Sequence, residues 1–150
     1  MITVCFLWSI ILSGLAPSHD ARMAVFRVSQ VDNQLHIDLS FDIEDYQTAL
    51  AVTEEQVTST QLAQYIDEAT DWRINASDDY KILVSDLNTS GEHYQATCRI
   101  PLQDSISTLE ISNSFLTGVA GHSNIMILNL NDTFRDFRMH AKRTALLVSY

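Results

Sequence analysis

The sequence predicts a mostly β protein: an immunoglobulin-like antiparallel β-sandwich with one helical insertion between its second and third strands. Three observations predict this fold. An alternating hairpin opens the polar part of the chain, a helical period is confined to the stretch after it, and short strand-like runs recur from residue 80 onward. Several short strands at a spacing of roughly 8–12 residues are typical of a sandwich.

The first 18 residues have the pattern of a secretory signal peptide. An apolar run over 2–15 is followed by Ala16-Pro17-Ser18 and then by polar sequence. A bilayer span needs about 20 apolar residues, whereas a shorter run before small residues is typical of an export signal. No Lys or Arg precedes the run. An uncleaved membrane anchor is the alternative interpretation.

Cleavage after Ser18 would leave a mature chain that begins at His19. We therefore predict a signal peptide over 1–18 and one β-sandwich domain over 19–150, exported to the periplasm or the cell exterior. The mature domain is within the usual size of a single domain and has no predicted transmembrane segment.

The opening hairpin is predicted from two strands, 23–31 and 35–43, around the turn dipeptide Asp32-Asn33. The second strand alternates without a fault. One face carries Leu35, Ile37, Leu39, Phe41 and Ile43, and the other carries His36, Asp38, Ser40 and Asp42. This period of two indicates one buried and one solvated face.

The helical insertion is predicted in two parts. A short helical turn covers 46–52, and the polar stretch 53–56 interrupts it. Thr58 or Ser59 can then cap a longer helix. Its apolar stripe is Leu62, Tyr65, Ile66, Ala69 and Trp72. We interpret Tyr65 and Trp72 as core aromatics.

Six further strands are predicted at 80–87, 93–100, 107–111, 125–130, 134–139 and 145–148. In the second of these, Cys98 shares a face with apolar residues, which predicts a small buried side chain. Cys5 lies in the predicted signal, so the mature chain has no partner for an intramolecular disulfide. A metal-binding thiol is disfavoured because no His or second Cys stands at ligand spacing.

The net charge of −10 is uneven along the chain. Residues 19–80 contain 13 acidic and 3 basic residues, whereas 81–150 contain 6 of each. The acidic half disfavours nucleic acid and anionic lipid as partners, because both would be repelled. A basic cluster in the second half would meet an acidic partner or pair with the acidic half; it comprises Arg135, Arg138, Lys142 and Arg143.

Several segments resemble a family of exported proteins known only as a domain of unknown function, similar to the soluble N-terminal part of some hydrogenase- or urease-accessory-type membrane proteins. They are His19, Asp42-Ile43-Glu44-Asp45-Tyr46, Leu62-Ala63-Gln64-Tyr65-Ile66, Asn113-Ser114-Phe115-Leu116 and His122-Ser123-Asn124-Ile125. This chain has His122 where that family tends to have Gln. The resemblance implies a secreted or periplasmic sandwich domain and no particular activity.

Copper is the metal alternative that the sequence supports. A mature N-terminal His19 would offer its amino group and imidazole to Cu(II), and His36 with Asp38 would supply further ligands from one strand face. The chain lacks the late Asp-x-His pair of periplasmic copper-carrying sandwiches. The paired carboxylates that would suit calcium lack an ion-wrapping loop, so we interpret them as solvated.

No nucleophile, metalloprotease or phosphate-loop motif occurs in the chain. We therefore predict an exported, non-catalytic interaction module for an unknown protein partner, without a cofactor. The first candidate surface is the face with His36, Asp38, Ser40 and Asp42. The second is the loop 117–124, which we expect to form a flexible polar tip with His122 and Asn124.

Overall fold

The computed structural model describes residues 22–52, 57–77 and 80–150. The predicted signal peptide and His19 lie outside the described residues. The elements are β1 (Met23–Val31), β2 (Gln34–Asp42), α1 (Ile43–Leu50), α2 (Ser59–Ala69), β3 (Thr70–Ile74), β4 (Leu83–Ser90), β5 (His93–Pro101), β6 (Thr108–Asn113), β7 (Ser123–Leu130), β8 (Thr133–Met139) and β9 (Ala145–Ser149). Neither of these helices is long and apolar enough to cross a membrane.

The strands form two sheets around one core. The larger sheet has the order β4-β5-β2-β1-β7-β8, and the smaller has the order β3-β6-β9. Inner-face residues of both sheets belong to the same hydrophobic cluster. The mostly β, sandwich-like fold is thus confirmed.

The predicted purely antiparallel pairing is wrong for one pair of strands. β1 pairs with β7 in parallel, so the six-stranded sheet is mixed. The reason lies in the connection: β6 belongs to the other sheet, and the chain returns from it to run beside β1 in the same direction. Alternation within each strand does not encode which strand becomes its neighbour.

The opening hairpin is confirmed, with β1 and β2 paired from Val25–Ser40 to Val31–Gln34. The alternating apolar residues of β2 from Leu35 to Phe41 are buried. The strand was expected to extend to Ile43, but it ends at Asp42, and Ile43 is the first residue of α1. The Asp42 carboxylate accepts a hydrogen bond from the Asp45 backbone N–H at 3.1 Å, and this cap starts α1.

The helical insertion between the second and third strands is also confirmed, and it contains two helices. Thr58 and Gln61 form the capping box of α2. The prediction that the helical stripe reaches Trp72 is wrong, because α2 ends at Ala69 and Trp72 lies in β3. Trp72 and Ile74 are buried at a period of two, and the Trp72 indole N–H donates to Thr70 Oγ1 at 3.0 Å.

All six later strands are found within a few residues of their predicted bounds. Cys98 is buried as predicted, and burial raises the pKa of its thiol to about 12.

Trp72 is buried, and Tyr65 is half-buried against the core. An aromatic cluster lies where α1, α2 and the larger sheet meet; it contains Phe26, Phe41, Tyr46, Tyr65, Tyr94 and Phe115.

Candidate functional site

The loop before β7 does not present its polar residues at an exposed tip. His122 is 3% exposed and Asn124 is fully buried. The expectation of an exposed His122 and Asn124 is therefore wrong. The physical reason is that both side chains find polar partners inside the protein, which offsets the cost of burying them.

These residues belong to a buried polar network that joins three elements. His122 Nδ1 lies 2.8 Å from Asp45 Oδ2 on α1, and His122 Nε2 lies 3.2 Å from Asn124 Oδ1 on β7. The Asn124 amide N–H₂ donates to Asn113 Oδ1 on β6 and to the Phe115 carbonyl. The network therefore links β6 of the smaller sheet to β7 and α1.

The hydrogen bonds assign a proton to Nε2 of the His122 ring. Asn113 Oδ1 accepts from the Phe115 backbone N–H, which fixes the orientation of that amide and then of Asn124. Asn124 Oδ1 is an acceptor, so His122 Nε2 donates to it. His122 Nδ1 and Asp45 Oδ2 face each other across a buried hydrogen bond of 2.8 Å.

The network also holds the first described residue of the chain. Arg22 Nε lies 3.6 Å from Asp45 Oδ1, and the Arg22 carbonyl accepts from the Ser123 backbone N–H at 3.0 Å. The His122 side chain is 0% exposed. A substrate therefore has no access to the imidazole, and the arrangement fixes the start of β1 against α1 and β7.

The predicted face of β2 is solvated. Asp38 is exposed, and His36, Ser40 and Asp42 are partly exposed. Thr97 Oγ1 donates to Asp38 Oδ1 at 3.4 Å. The face contains a shallow polar depression of about 280 Å³, lined by Arg27, Asp38, Leu39, Ser40, Asn88, Gln95, Ala96 and Thr97. Asp42 is engaged as the cap of α1, so the hydrogen-bonding groups that this face offers to a partner are those of His36, Asp38 and Ser40.

His36 and Asp38 share that face as predicted, but His36 lies far from the start of the described chain. His36 pairs with Ser29, six residues along β1 from Met23, which corresponds to about 20 Å. His19 itself lies outside the described residues. In the described part of the chain, no three His, Cys, Asp or Glu side chains form a group that could hold a metal ion.

Strand β8 forms one edge of the larger sheet. Asn131 and Asp132 both have positive φ, which is the two-residue turn that suits a tight hairpin, and β7 and β8 then pair over seven residues without a register shift. No backbone group of another described segment bonds to the other side of β8. Phe134 on this strand is 66% exposed. We call β8 and the turn 140–143 the β8 edge.

The β8 edge also contains the basic cluster singled out from the sequence. Among the described residues, no carboxylate lies within 4 Å of Arg135, Arg138, Lys142 or Arg143. Arg135 instead contacts the Ser149 carbonyl at 3.5 Å and lies over the Tyr150 ring, and Arg138 donates to Ser123 Oγ. Of the two roles considered for this cluster, pairing with the acidic half does not occur in the described structure.

The exposed Phe134 was not a predicted site residue. Phe134 and Phe137 in β8 are three residues apart, so a period of two cannot place both on the buried face. Phe137 packs against the core, and Phe134 faces solvent. The three-residue spacing of the two phenylalanines was therefore the feature of the sequence that indicated an exposed ring.

Comparison of the chain with models of known protein families and with curated proteins gave no match.

Proposed function

We propose that the protein is an exported, non-catalytic interaction module that binds its partner at the β8 edge. One observation carries this proposal: an uncovered, regular edge strand combines a two-thirds exposed phenylalanine with four cations that have no carboxylate partner in the described structure. Exposed aromatic and arginine side chains are the residue types enriched where proteins bind one another.

The chemistry of the β8 edge favours an extended acidic segment of a partner protein. Residues 133–150 contain four basic side chains and one carboxylate, in a chain whose net charge is −10. A partner strand can add to an unpaired edge through backbone hydrogen bonds, while alternate side chains contact the neighbouring strand. Carboxylates on that segment would meet the cations, and an apolar residue would cover Phe134.

The same charges disfavour pairing between two copies of this edge. Charged side chains on an edge strand are a common protection against edge-to-edge association. Two β8 edges brought together would oppose cation to cation, whereas an acidic segment would be attracted. We therefore assign the β8 edge to a partner of opposite charge and not to a second copy of the chain.

A peptide titration tests this assignment. The probe is an acetylated peptide of alternating glutamate and valine, about seven residues long to match β8, with a lysine-valine peptide as its control. Calorimetry at low and moderate salt should show binding of the glutamate peptide only, weakening as salt increases. Binding of both peptides, or of neither, contradicts the proposal.

Charge reversal locates the site. The double variant Lys142→Glu/Arg143→Glu should bind the glutamate peptide at least about tenfold more weakly. The matched control, Lys81→Glu/Arg99→Glu, makes the same change in net charge near the opposite edge of the sheet and should lose less than about twofold. Equal losses in the two variants would mean that only the overall charge matters.

One measurement tests both the proposed export of the protein and the copper-binding alternative. Mass spectrometry of the natively secreted protein gives its N-terminus and any retained metal. A chain that begins at His19 without copper, and takes up none in titration, supports the interaction module. Stoichiometric copper at His19 would favour a metal-handling protein instead, and retention of 1–18 would reject cleavage.

The finer fold assignment, an immunoglobulin-like sandwich, is also a proposal. Its support is the pair of facing sheets and the three local hairpins β1–β2, β4–β5 and β7–β8. The parallel β1–β7 pair departs from it. Superposition of an experimental structure on immunoglobulin domains tests this assignment.

A further inference from the structure

A second surface, independent of the β8 edge, lies between the two helices. A groove of about 220 Å³ is bounded by α1 and Val52 on one side and by Val57 and α2 on the other. Pockets for drug-sized ligands have roughly 300–1,000 Å³, so this groove suits a smaller molecule. We call it the helix groove.

The apolar part of the helix groove is left partly open to solvent. Leu50 is 37% exposed and Val52 is 36% exposed, and both line it together with Val57. Tyr46 and Tyr65 add aromatic surface, with ring centroids 5.5 Å apart in an edge-to-face arrangement. These side chains would cover the hydrocarbon part of a ligand.

Tyr46 also has an unpartnered polar atom. The residue is 1% exposed, and its hydroxyl has no hydrogen-bond partner in the described structure. Burial raises the pKa of Tyr46 to about 12, so the phenol is neutral at physiological pH. Buried hydroxyls are almost always hydrogen-bonded, so an orphan at a groove points to a missing partner.

The charge at the rim of the helix groove is negative. Glu68 lines the groove on α2, and the Gln64 amide donates to its Oε1 at 2.9 Å, which orients the carboxylate. No cation lies within 4 Å of Glu68 in the described structure. A carboxylate beside the partly exposed ring of Tyr65 is an environment that suits an organic ammonium group.

From these contacts we infer that the helix groove binds a small organic amine with an apolar body. The ammonium group would pair with Glu68 beside the Tyr65 ring and supply the missing partner of the Tyr46 hydroxyl, while the apolar body contacts Leu50 and Val57. A neutral or anionic molecule of the same shape lacks the ion pair, and an anion would be repelled by Glu68.

Three probes of one shape test this inference on the whole mature chain: 2-phenylethylamine, 2-phenylethanol and 3-phenylpropionate. Titration followed by ¹⁵N–¹H correlation spectra should show saturable shifts at helix-groove residues for the amine, weaker shifts for the alcohol and none for the carboxylate. Equal binding of amine and carboxylate, shifts spread over the acidic surface, or no saturable shift with the amine would overturn the inference.

Two variants and one control complete the test. Glu68→Gln keeps the bond from Gln64 and removes the charge, so amine affinity should fall about fivefold, as for a partly exposed ion pair. Tyr46→Phe should lower amine affinity without lowering stability, because it removes an unpartnered hydroxyl. Asp67→Asn, on the same helix but outside the groove, should change affinity less than about twofold. Equal losses for Glu68→Gln and Asp67→Asn would overturn the inference.

Discussion

The two edges of the larger sheet differ in how they are protected. β4 contacts α2, and its pairing with β5 shifts register between Val84 and Asp86. β8 pairs regularly over seven residues and has no described element against its free side. A bulge interrupts an edge whatever the partner, whereas charge protects it only against like charge. Under the proposal above, an acidic partner therefore adds to β8 and not to β4.

The largest expected effect comes from the buried polar network around His122, which holds β7 and, through it, β8. Asp45→Ala removes the partner of His122 Nδ1 and should lower the free energy of unfolding by about 3 kcal/mol, because a buried ring nitrogen is left without a hydrogen bond. Chemical denaturation measures this. Asp38→Ala, at an exposed carboxylate on β2, should change stability by less than about 0.5 kcal/mol. Similar small values for both variants would contradict a stabilising role for the buried hydrogen bond.

The next effect concerns Cys98 on β5, which pairs with Val84 of the edge strand β4. Burial raises the thiol pKa from 9.0 to about 12, so the unfolded chain loses this proton first as pH rises. Titration of this thiol does not change the free energy of unfolding below pH 9. Between pH 9 and pH 12 it should lower that free energy by up to about 1.4 kcal/mol per pH unit. Tyr46, whose pKa is raised from 10.0 to about 12, adds to the fall above pH 10.

Denaturation midpoints measured across that alkaline range provide the check. Cys98→Ala should show a shallower decline than the wild type, whatever its stability at neutral pH. An identical slope in the two proteins would mean that Cys98 is accessible to solvent in the folded state.

A smaller effect is expected from α2, the helix that contacts β4. Thr58 accepts from the Gln61 backbone N–H and caps α2, so Thr58→Ala should cost about 1 kcal/mol. The neighbouring Thr60 is not the cap, and Thr60→Ala serves as the matched control. If the two substitutions cost the same, the capping box does not stabilise α2.

The smallest effect on stability should come from the exposed edge itself. Phe134→Thr replaces a 66% exposed side chain and should change the free energy of unfolding by less than about 0.5 kcal/mol. Leu83→Thr makes a comparable change on β4, where Leu83 is 55% exposed. A loss of more than 1 kcal/mol in Phe134→Thr would mean that this ring serves folding and not binding.

The sequence predicted the local structure better than the arrangement of the strands. Alternation in β2 and the turn at Asp32 specify a hairpin, and Thr58 specifies a helix start, because each depends on neighbouring residues alone. The parallel contact of β1 with β7 depends on residues about 100 positions apart. Strand β3 was not predicted, because Trp72 fits both the helical period and the period of two of a strand. The helix in fact ends at Ala69.

The candidate sites show the same limit. His122 and Arg143 are both polar residues near turns, yet one is buried among acceptors and the other is exposed. What separates them is the presence of Asp45 and Asn124 around the His122 ring, which is a tertiary property. The basic cluster was visible in the sequence, but the absence of carboxylate partners among the described residues was not.

The most direct test of binding at the β8 edge is backbone amide hydrogen exchange with and without the glutamate-valine peptide. The proposal predicts that saturating peptide slows exchange along β8, Thr133–Met139, and leaves exchange along β4, Leu83–Ser90, unchanged. Protection of β4, or of the His36–Asp42 face without β8, would contradict it.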